Sequence, residues 1–568
     1  MKGLRLRRRR AAPASPLERA LASALVDGRW QVPDRFNFTG DVVEPLAENP
    51  KRVAVTCLSR DGVIEPRTFL QLAEGASRWA AYLRDEGARP GDSVLILLGT
   101  SHDWLEVLLA CLKAGLIAVP CAPGVLPGEL ERWIAASGAS LLVSDRGAER
   151  LLGELSLRPA VRYLDELPPV RRGHTLERAP THATAARDVA LVVPTAGTEG
   201  DPRPVAHTHG ATFACRVQAE RWLDASPGDV VWCTGASSSL EALWNGVFGP
   251  LARGAETVFH DGAFDPEERL DHLRRLGVTV LCQAPAEYRA LAELPERELR
   301  RLRPPHLRRL VSTGDALDPE TAAVFAEAWG LTIHEGYGQA ETGIVLANGA
   351  DAGFRPGSLG LPLPGHHVAV VDEQGSELPP GLEGNLAVRG RPPTLFAGYW
   401  ERPEETREAF SGDWYLTGDL ARRDEDGFFW FVARSADLVV SRGRSFGPHE
   451  VERVLETHPA VRESGVVGIR DLERGGHFVR AFVVPPAGVE GSEQLEIELR
   501  EHVEAALPAQ QVPREIEFVD ELPRTGSGKL RRAELRERPV ARRPLWDLGH
   551  TEPSPVTDAP LVPAPPPP

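Results

Sequence analysis

Six short segments hold residue types that could grip a nucleotide and shift charge on it. Thr195-Ala196-Gly197-Thr198-Glu199-Gly200-Asp201-Pro202-Arg203-Pro204 directly follows an apolar run at 189–193. Small residues after a strand can aim backbone N–H groups at phosphate oxygens; an ordinary Gly/Thr turn has the same composition. Ser312-Thr313-Gly314-Asp315-Ala316 again follows an apolar run, 307–311. Glu335-Gly336-Tyr337-Gly338-Gln339-Ala340-Glu341-Thr342 offers an aromatic ring to stack on a base, glycines for close approach and a carboxylate suited to Mg2+. Trp414-Tyr415-Leu416-Thr417-Gly418-Asp419-Leu420 carries an Asp that could accept from both hydroxyls of a ribose. Arg434-Ser435-Ala436-Asp437-Leu438 precedes Ser441-Arg442-Gly443-Arg444-Ser445-Phe446-Gly447-Pro448, and Leu522-Pro523-Arg524-Thr525-Gly526-Ser527-Gly528-Lys529-Leu530 comes last. The last segment is no P-loop. That motif needs Gly five residues before its final Gly and Ser/Thr after its Lys, and Pro523 and Leu530 stand there.

Alternating elements must position these segments. From Val53 to Asp145 apolar strand-like runs (93–98, 118–121, 140–144) alternate with helical periodicity (104–114, 129–137), the signature of βαβ units around parallel sheet. Residues 146–187 are weakly patterned, and the alternation resumes at 189–193, 229–234, 256–259, 278–282 and 308–312. From about 366 short strands between Gly/Asp/Pro turns suggest a β-rich subdomain. Residues 436–535 read as a compact α+β unit, with helices at 448–457 and 493–506. The expected fold is therefore α/β: a large multi-subdomain N-terminal region of parallel sheets and helices with a small β-rich subdomain, and a smaller mobile α+β C-terminal domain. The expected boundaries are a partly disordered basic leader at 1–30 that ends in a helix, an N-terminal domain at 31–433, a C-terminal lid at 434–540 and a Pro-rich disordered tail at 541–568.

Composition narrows the function. The 568 residues are 42% hydrophobic and 26% charged, enough for several buried cores and too apolar for a disordered chain. A net charge of −16 argues against a nucleic-acid partner, the Arg5–Arg10 leader being the only dense basic run. No apolar window is long enough to span a membrane, and no secretory signal is evident. The six cysteines lack CxxC or zinc spacing and read as small buried hydrophobes of a reducing, cytoplasmic setting. Only Lys2, Lys51, Lys113 and Lys529 are lysines among 65 basic residues, and only Lys529 lies in one of the segments.

Each segment is weak alone. In order, they resemble the adenylate-forming superfamily of acyl-CoA synthetases, adenylation domains and luciferases over about residues 35–535. Within it the chain looks most similar to the medium-chain acyl-CoA synthetases, through Phe36-Asn37-Phe38, Val231-Trp232-Cys233-Thr234, Phe248-Gly249-Pro250-Leu251, Glu335–Thr342 and Arg514–Val519. The resemblance implies attack of a small-molecule carboxylic acid on the α-phosphate of ATP, then displacement of AMP by coenzyme A. It implies that Thr195, Gly197, Thr198, Gly200 and Arg203 belong to a triphosphate loop. Gly314, Asp315, Ala316, Glu335, Gly336 and Gly338 would lie at the nucleotide, with Tyr337 stacked on adenine. Glu341 would hold Mg2+, Asp419 would bind the ribose and Arg434 would sit beside it. Lys529 would reach the charge developing between carboxylate and α-phosphate. Gly443 and Arg444 would line the pantetheine tunnel, and Arg474 would meet the CoA phosphates. The acyl pocket is expected near 237–245, with Leu240, Trp244 and Gly338 as its walls; helix core explains Leu240 and Trp244 equally well. Oligomeric state is left open.

The chain departs from the family pattern. Ala196, Glu199, Arg203 and Pro204 replace the usual Ser, Thr, Lys and Gly of the phosphate loop, Ala340 replaces Thr, Ala433 and Ala436 replace Gly and the hinge Asp, and Ser445 stands where an Arg is usual. Three lost charge-assisted hydrogen bonds would remove about 5–9 kcal/mol. The competing expectation is thus a degenerate member that binds acyl, adenylate or CoA ligands with little turnover.

Overall fold

A computed structural model describes residues 15, 17, 21–157, 159–167, 179–195, 203–349, 353–441, 444–470, 477–524 and 530–539. The Pro-rich tail and the Arg-rich run lie outside these residues. The chain divides into two compact units that part between Ser435 and Ala436; the second is built from Ala436–Pro523 and from Leu530 onward. The linker pattern had placed this boundary at 433, and the difference matters: Arg434 belongs to the last strand of the first unit.

The first unit holds two large mixed sheets. In one, Ser93–Leu97 pairs in parallel with Ile117–Cys121 and with Leu141–Ser144, while Pro204–Thr208 runs antiparallel to Val189–Pro194 and to Gly398–Tyr399. In the other, Val53–Leu58, Glu256–His260, Val230–Cys233, Val280–Gln283, Arg309–Thr313 and Ile333–Gln339 are parallel neighbours, and Gly343–Ala347 returns antiparallel. Parallel strands are covered on both faces, so they read as continuous apolar runs. Their side chains alternate. Val94 and Ile96 face a core shared with Val55 and Phe259 of the other sheet, while Leu95 and Leu97 face Trp133 and Ile134 on the opposite side.

Helices Phe69–Asp85 and His102–Ala114 fill the space between the sheets, burying Leu72, Trp79, Trp104 and Leu108. The first begins in a capping box of Thr68 and Gln71; the second begins at Ser101 and stops at Gly115, whose φ of 73° suits a left-handed cap. A third core, with Leu273, Tyr288 and Phe325, covers the far face of the second sheet. The result is five alternating layers of helix and sheet. Burial of each Leu, Val or Phe contributes about 1.5–3 kcal/mol.

A smaller antiparallel sheet is formed by Val368–Val371, Glu383–Arg389, Phe410–Ser411, Trp414–Arg423 and Phe429–Arg434. Leu25–Val26 and Arg29–Trp30 form a hairpin. The reason is local: Asp27 and Gly28 both take positive φ, 49° and 72°, the geometry of a tight hairpin turn.

The second unit, taken by itself, pairs Glu463–Arg470 with His477–Val484 and that with Glu515–Phe518. Helices Pro448–Glu456 and Glu493–Ala506 pack on this sheet through Val451, Leu455, Leu499 and Val503. Its polar centre is Arg532, which donates to both oxygens of buried Glu452 at 2.6 and 2.7 Å. Arg532 and His449 hold that carboxyl down at about 2, against the cost of its burial. Among the described residues, no helix is long and apolar enough to cross a membrane.

Candidate active site

Parallel strands expose loops at their C-terminal ends, where α/β sheets bind ligands. Strand Arg309–Thr313 ends there, and the exposed residues Gly314, Asp315 and Ala316 follow. Gly314 has φ 99°, a conformation L side chains rarely adopt, which explains glycine at this position. The neighbouring strand Ile333–Gln339 is in register with it, Ser312 opposite Glu335 and Thr313 opposite Gly336. Glu335 reaches back to this loop, its carboxyl accepting the Leu317 N–H at 3.2 Å. Burial pushes that carboxyl up to about 7.

The two glycines of this strand make close approaches, and their partner is the protein itself. A Cβ on Gly336 would lie 2.7 Å from the Trp222 ring, and one on Gly338 only 2.0 Å from the Gly343 carbonyl across the hairpin. Buried Gln218 secures that hairpin: it accepts from Ile344 N at 3.1 Å and donates to Asn245 at 2.6 Å.

Tyr337 projects from the same strand toward the smaller sheet. Its hydroxyl donates to Asp419 Oδ2 at 2.5 Å, and Gln339 Nε2 donates to the same oxygen at 3.1 Å. Gln339 also donates to the Thr417 carbonyl at 2.8 Å and accepts from Tyr415 at 3.0 Å. Asp419 is 5% exposed, and Arg434, directly opposite it in the adjacent strand, brings Nε to 3.7 Å of Oδ1. Burial and the Asp419 charge push the Tyr337 phenol up, so it remains a donor. The carboxylate is thus oriented through Oδ2, with a cation beside Oδ1.

A second cluster adjoins it. The Glu341 carboxylate accepts from Tyr399 Oη at 3.0 Å, and its main-chain carbonyl accepts from Phe396 N at 2.7 Å. Tyr399 lies beside Val205, and the Arg203 guanidinium sits 5.4 Å from the centre of its ring. Arg203 also pairs with Glu405 at 3.2 Å. Thr195 closes the base of the loop that Arg203 ends, through N–H and hydroxyl bonds to the Arg203 carbonyl at 3.2 and 2.8 Å. His207 Nε2 bonds the Ala340 carbonyl at 2.7 Å and fastens the hairpin to the first large sheet. Three sheets therefore meet at this site.

The geometry gathers Gly314, Glu335, Tyr337, Asp419 and Arg434, with Glu341 and Arg203 alongside. Leu240 and Trp244 are buried in the main core; Trp244, in the wider helical turn Ala242–Phe248, packs edge-on against His207 at 5.2 Å. Arg444 opens strand Arg444–Phe446 of the second unit. Gly197, Thr198, Glu199, Gly200, Gly443, Arg474 and Lys529 lie outside the described residues. Sequence reasoning gave no role to Gln339, although it stands inside a quoted segment, and none to Tyr399, His207 or Gln218. Only tertiary contact reveals those four.

The model of the AMP-binding enzyme family matches residues 43–400, and that of the AMP-binding enzyme C-terminal domain matches 450–529. The chain belongs to the AMP-binding enzyme family. Among relatives of this AMP-binding enzyme is YtcI of Bacillus subtilis, an uncharacterized acyl-CoA ligase, 34% identical over 89% of this chain and 96% of that protein. Human mitochondrial acyl-coenzyme A synthetase ACSM3 is 32% identical over 90% of this chain and 91% of its own length. Among solved structures, the anthranilate CoA ligase AuaEII in complex with anthranoyl-AMP superposes with a TM-score of 0.78 at 27% identity, covering 89% of this chain and 97% of that one.

Proposed function

We propose that this AMP-binding enzyme activates a carboxylic acid with ATP, forming an acyl-adenylate and pyrophosphate, and then transfers the acyl group to coenzyme A. The observation that carries the reading is the buried Asp419, beside Arg434 and oriented by Tyr337 and Gln339, whose strand is the parallel neighbour of the one that ends at Gly314. A carboxylate already held through Oδ2 can accept from ribose hydroxyls through Oδ1 without losing those donors. The Gly314–Ala316 loop, one strand away, then receives the base.

Both substrates are anions, so the site must supply positive charge before they meet. Arg203 is the cation at the base of the phosphate loop, and it keeps the charge of the usual lysine. Lys529 supplies a compact charge to the transition state, where positioning and electrostatics do most of the catalysis. Glu341 suits Mg2+: it is one carboxylate with an oxygen held by Tyr399, and Mg2+ in nucleotide sites takes one or two carboxylates and completes its shell with phosphates and water. Such an ion, when bound, offsets phosphate charge. The second unit, with Gly443, Arg444 and Arg474, serves as the coenzyme A side and the lid. The free cysteines fit a reducing cytoplasmic setting.

Similarity to acyl-CoA ligases along nearly the whole chain favours turnover over the binding-only reading. The test is carboxylate-dependent ATP–pyrophosphate exchange over a panel of aliphatic and aryl acids, followed by thioester formation with coenzyme A. Exchange with at least one acid is expected. No exchange with any acid, together with thermal stabilisation by AMP, would restore the degenerate reading.

A further inference from the structure

Two cysteines that the reaction does not use face each other beneath the nucleotide loop. Cys233 and Cys282 occupy paired positions in the adjacent parallel strands Val230–Cys233 and Val280–Gln283. Paired positions put side chains on the same face of a sheet, so both thiols emerge together. The segment leading into the turn Ala242–Phe248 folds back over that point, and the Cys233 thiol donates to the Glu241 carbonyl at 3.7 Å. One ligand atom from each residue, two sulfurs and a carboxylate oxygen, lie within 4.8 Å of one another. Among the described residues, no other group of His, Cys, Asp and Glu meets that spacing.

We propose that Cys233, Cys282 and Glu241 form a three-ligand site for a thiophilic divalent cation of the zinc class. Tetrahedral sites hold thiolate sulfur at about 2.3 Å and carboxylate oxygen at about 2.0–2.2 Å from the ion, which places ligand atoms roughly 3.5–4 Å apart. The observed spacing needs to contract by about 1 Å, within reach of side-chain rotation. Room for a fourth ligand, water, lies next door: Cys233 also lines a polar cavity of about 150 Å3 with Thr234, His260, Arg269 and Glu287. The hydrogen bond with Cys233 and burial push the Cys282 thiol up, so an ion that binds there must displace its proton.

The placement gives the ion a consequence. Glu241 Oε2 lies 3.8 Å from where a Cβ on Gly314 would sit. A cation bound there ties two strands and the 235–241 segment together just under the loop that receives the nucleotide. This makes it a brace for the site, separate from Glu341.

The test uses the full-length chain stripped with a chelator and titrated with Cd2+. A thiolate-to-cadmium absorption band saturating at one equivalent is expected. It should vanish in Cys233→Ser and in Cys282→Ser, weaken at least tenfold in apparent affinity in Glu241→Gln, and persist in Cys111→Ser, whose thiol is equally buried elsewhere. Zn2+ should raise the thermal midpoint of the wild type and leave that of Cys282→Ser unchanged. X-ray absorption of the cadmium-loaded wild type requires no variant to fold, and it should find two sulfur neighbours and at least one oxygen. No saturable band in the wild type, a band that survives the double serine variant, or an oxygen-only shell would overturn the proposal.

Discussion

At the residue scale, Asp419 does most to define the site. It is held by a phenol and an amide from one strand and a guanidinium from another, so its oxygens are oriented before any ligand arrives. Asp419→Ala removes an acceptor whose hydrogen bonds involve a charged partner, each worth about 1.5–3 kcal/mol. The KM for ATP in pyrophosphate exchange should rise about 10–100-fold, and Tyr337→Phe should raise it less, because Gln339 still orients the carboxylate. An unchanged KM in Asp419→Ala would remove the ribose role. Lys529 differs in kind, since in the proposed mechanism its charge acts in the transition state. Lys529→Ala should lower exchange by about 10²–10³-fold with little change in ATP affinity, while thioester formation from supplied acyl-adenylate continues. Equal losses in both half-reactions would refute that assignment.

At the element scale, the hairpin of Ile333–Gln339 and Gly343–Ala347 carries both clusters, Tyr337 on one side and Glu341 at its turn. Its shape depends on two contacts that admit no side chain, Gly336 on Trp222 and Gly338 on the Gly343 carbonyl. The Gly343 atom is backbone and cannot swing aside. Gly338→Ala should therefore cost about 1–3 kcal/mol of stability and lower activity with it, as thermal unfolding and exchange rates would show together. Retention of the wild-type melting temperature would mean that the hairpin yields more readily than this contact allows.

For the whole molecule, the buried histidines set an acid limit. His207 and His209 are fully buried, and burial pushes each imidazole from 6.5 to about 4. Neither ring nitrogen of His209 has a hydrogen-bond partner. The unfolded chain binds protons first as pH falls through 6.5, so stability is full above that value and is lost toward pH 4. The loss reaches up to roughly 2 kcal/mol per site by about pH 5. Denaturant titrations near pH 7 and near pH 5 should show this drop, and His209→Leu should reduce it. A drop of the same size in the variant would assign the acid sensitivity to other groups.

The order of βαβ units, the positions of the six segments and the family to which they belong were all legible in the sequence. Those features arise from local periodicity and from residue types at short spacing, and neighbours in the chain determine both. Tyr337, Asp419, Glu341 and Arg434 stood out for the same reason. The hairpin at Leu25–Trp30 was not read from the sequence, although Asp27-Gly28 marks its turn. Tertiary structure alone decided how the candidate residues are held. Tyr399 reaches Glu341 because two strands distant in sequence become neighbours. Gln339 acquires its role only when the smaller sheet delivers Asp419. Trp244 became core once helix and hairpin packed around it. Cys233 and Cys282 lack the spacing of a chain-local metal motif, and strand pairing across the sheet is what brings their sulfurs together. Periodicity along a chain specifies which face a side chain takes, but only the packing of distant segments specifies what that face meets.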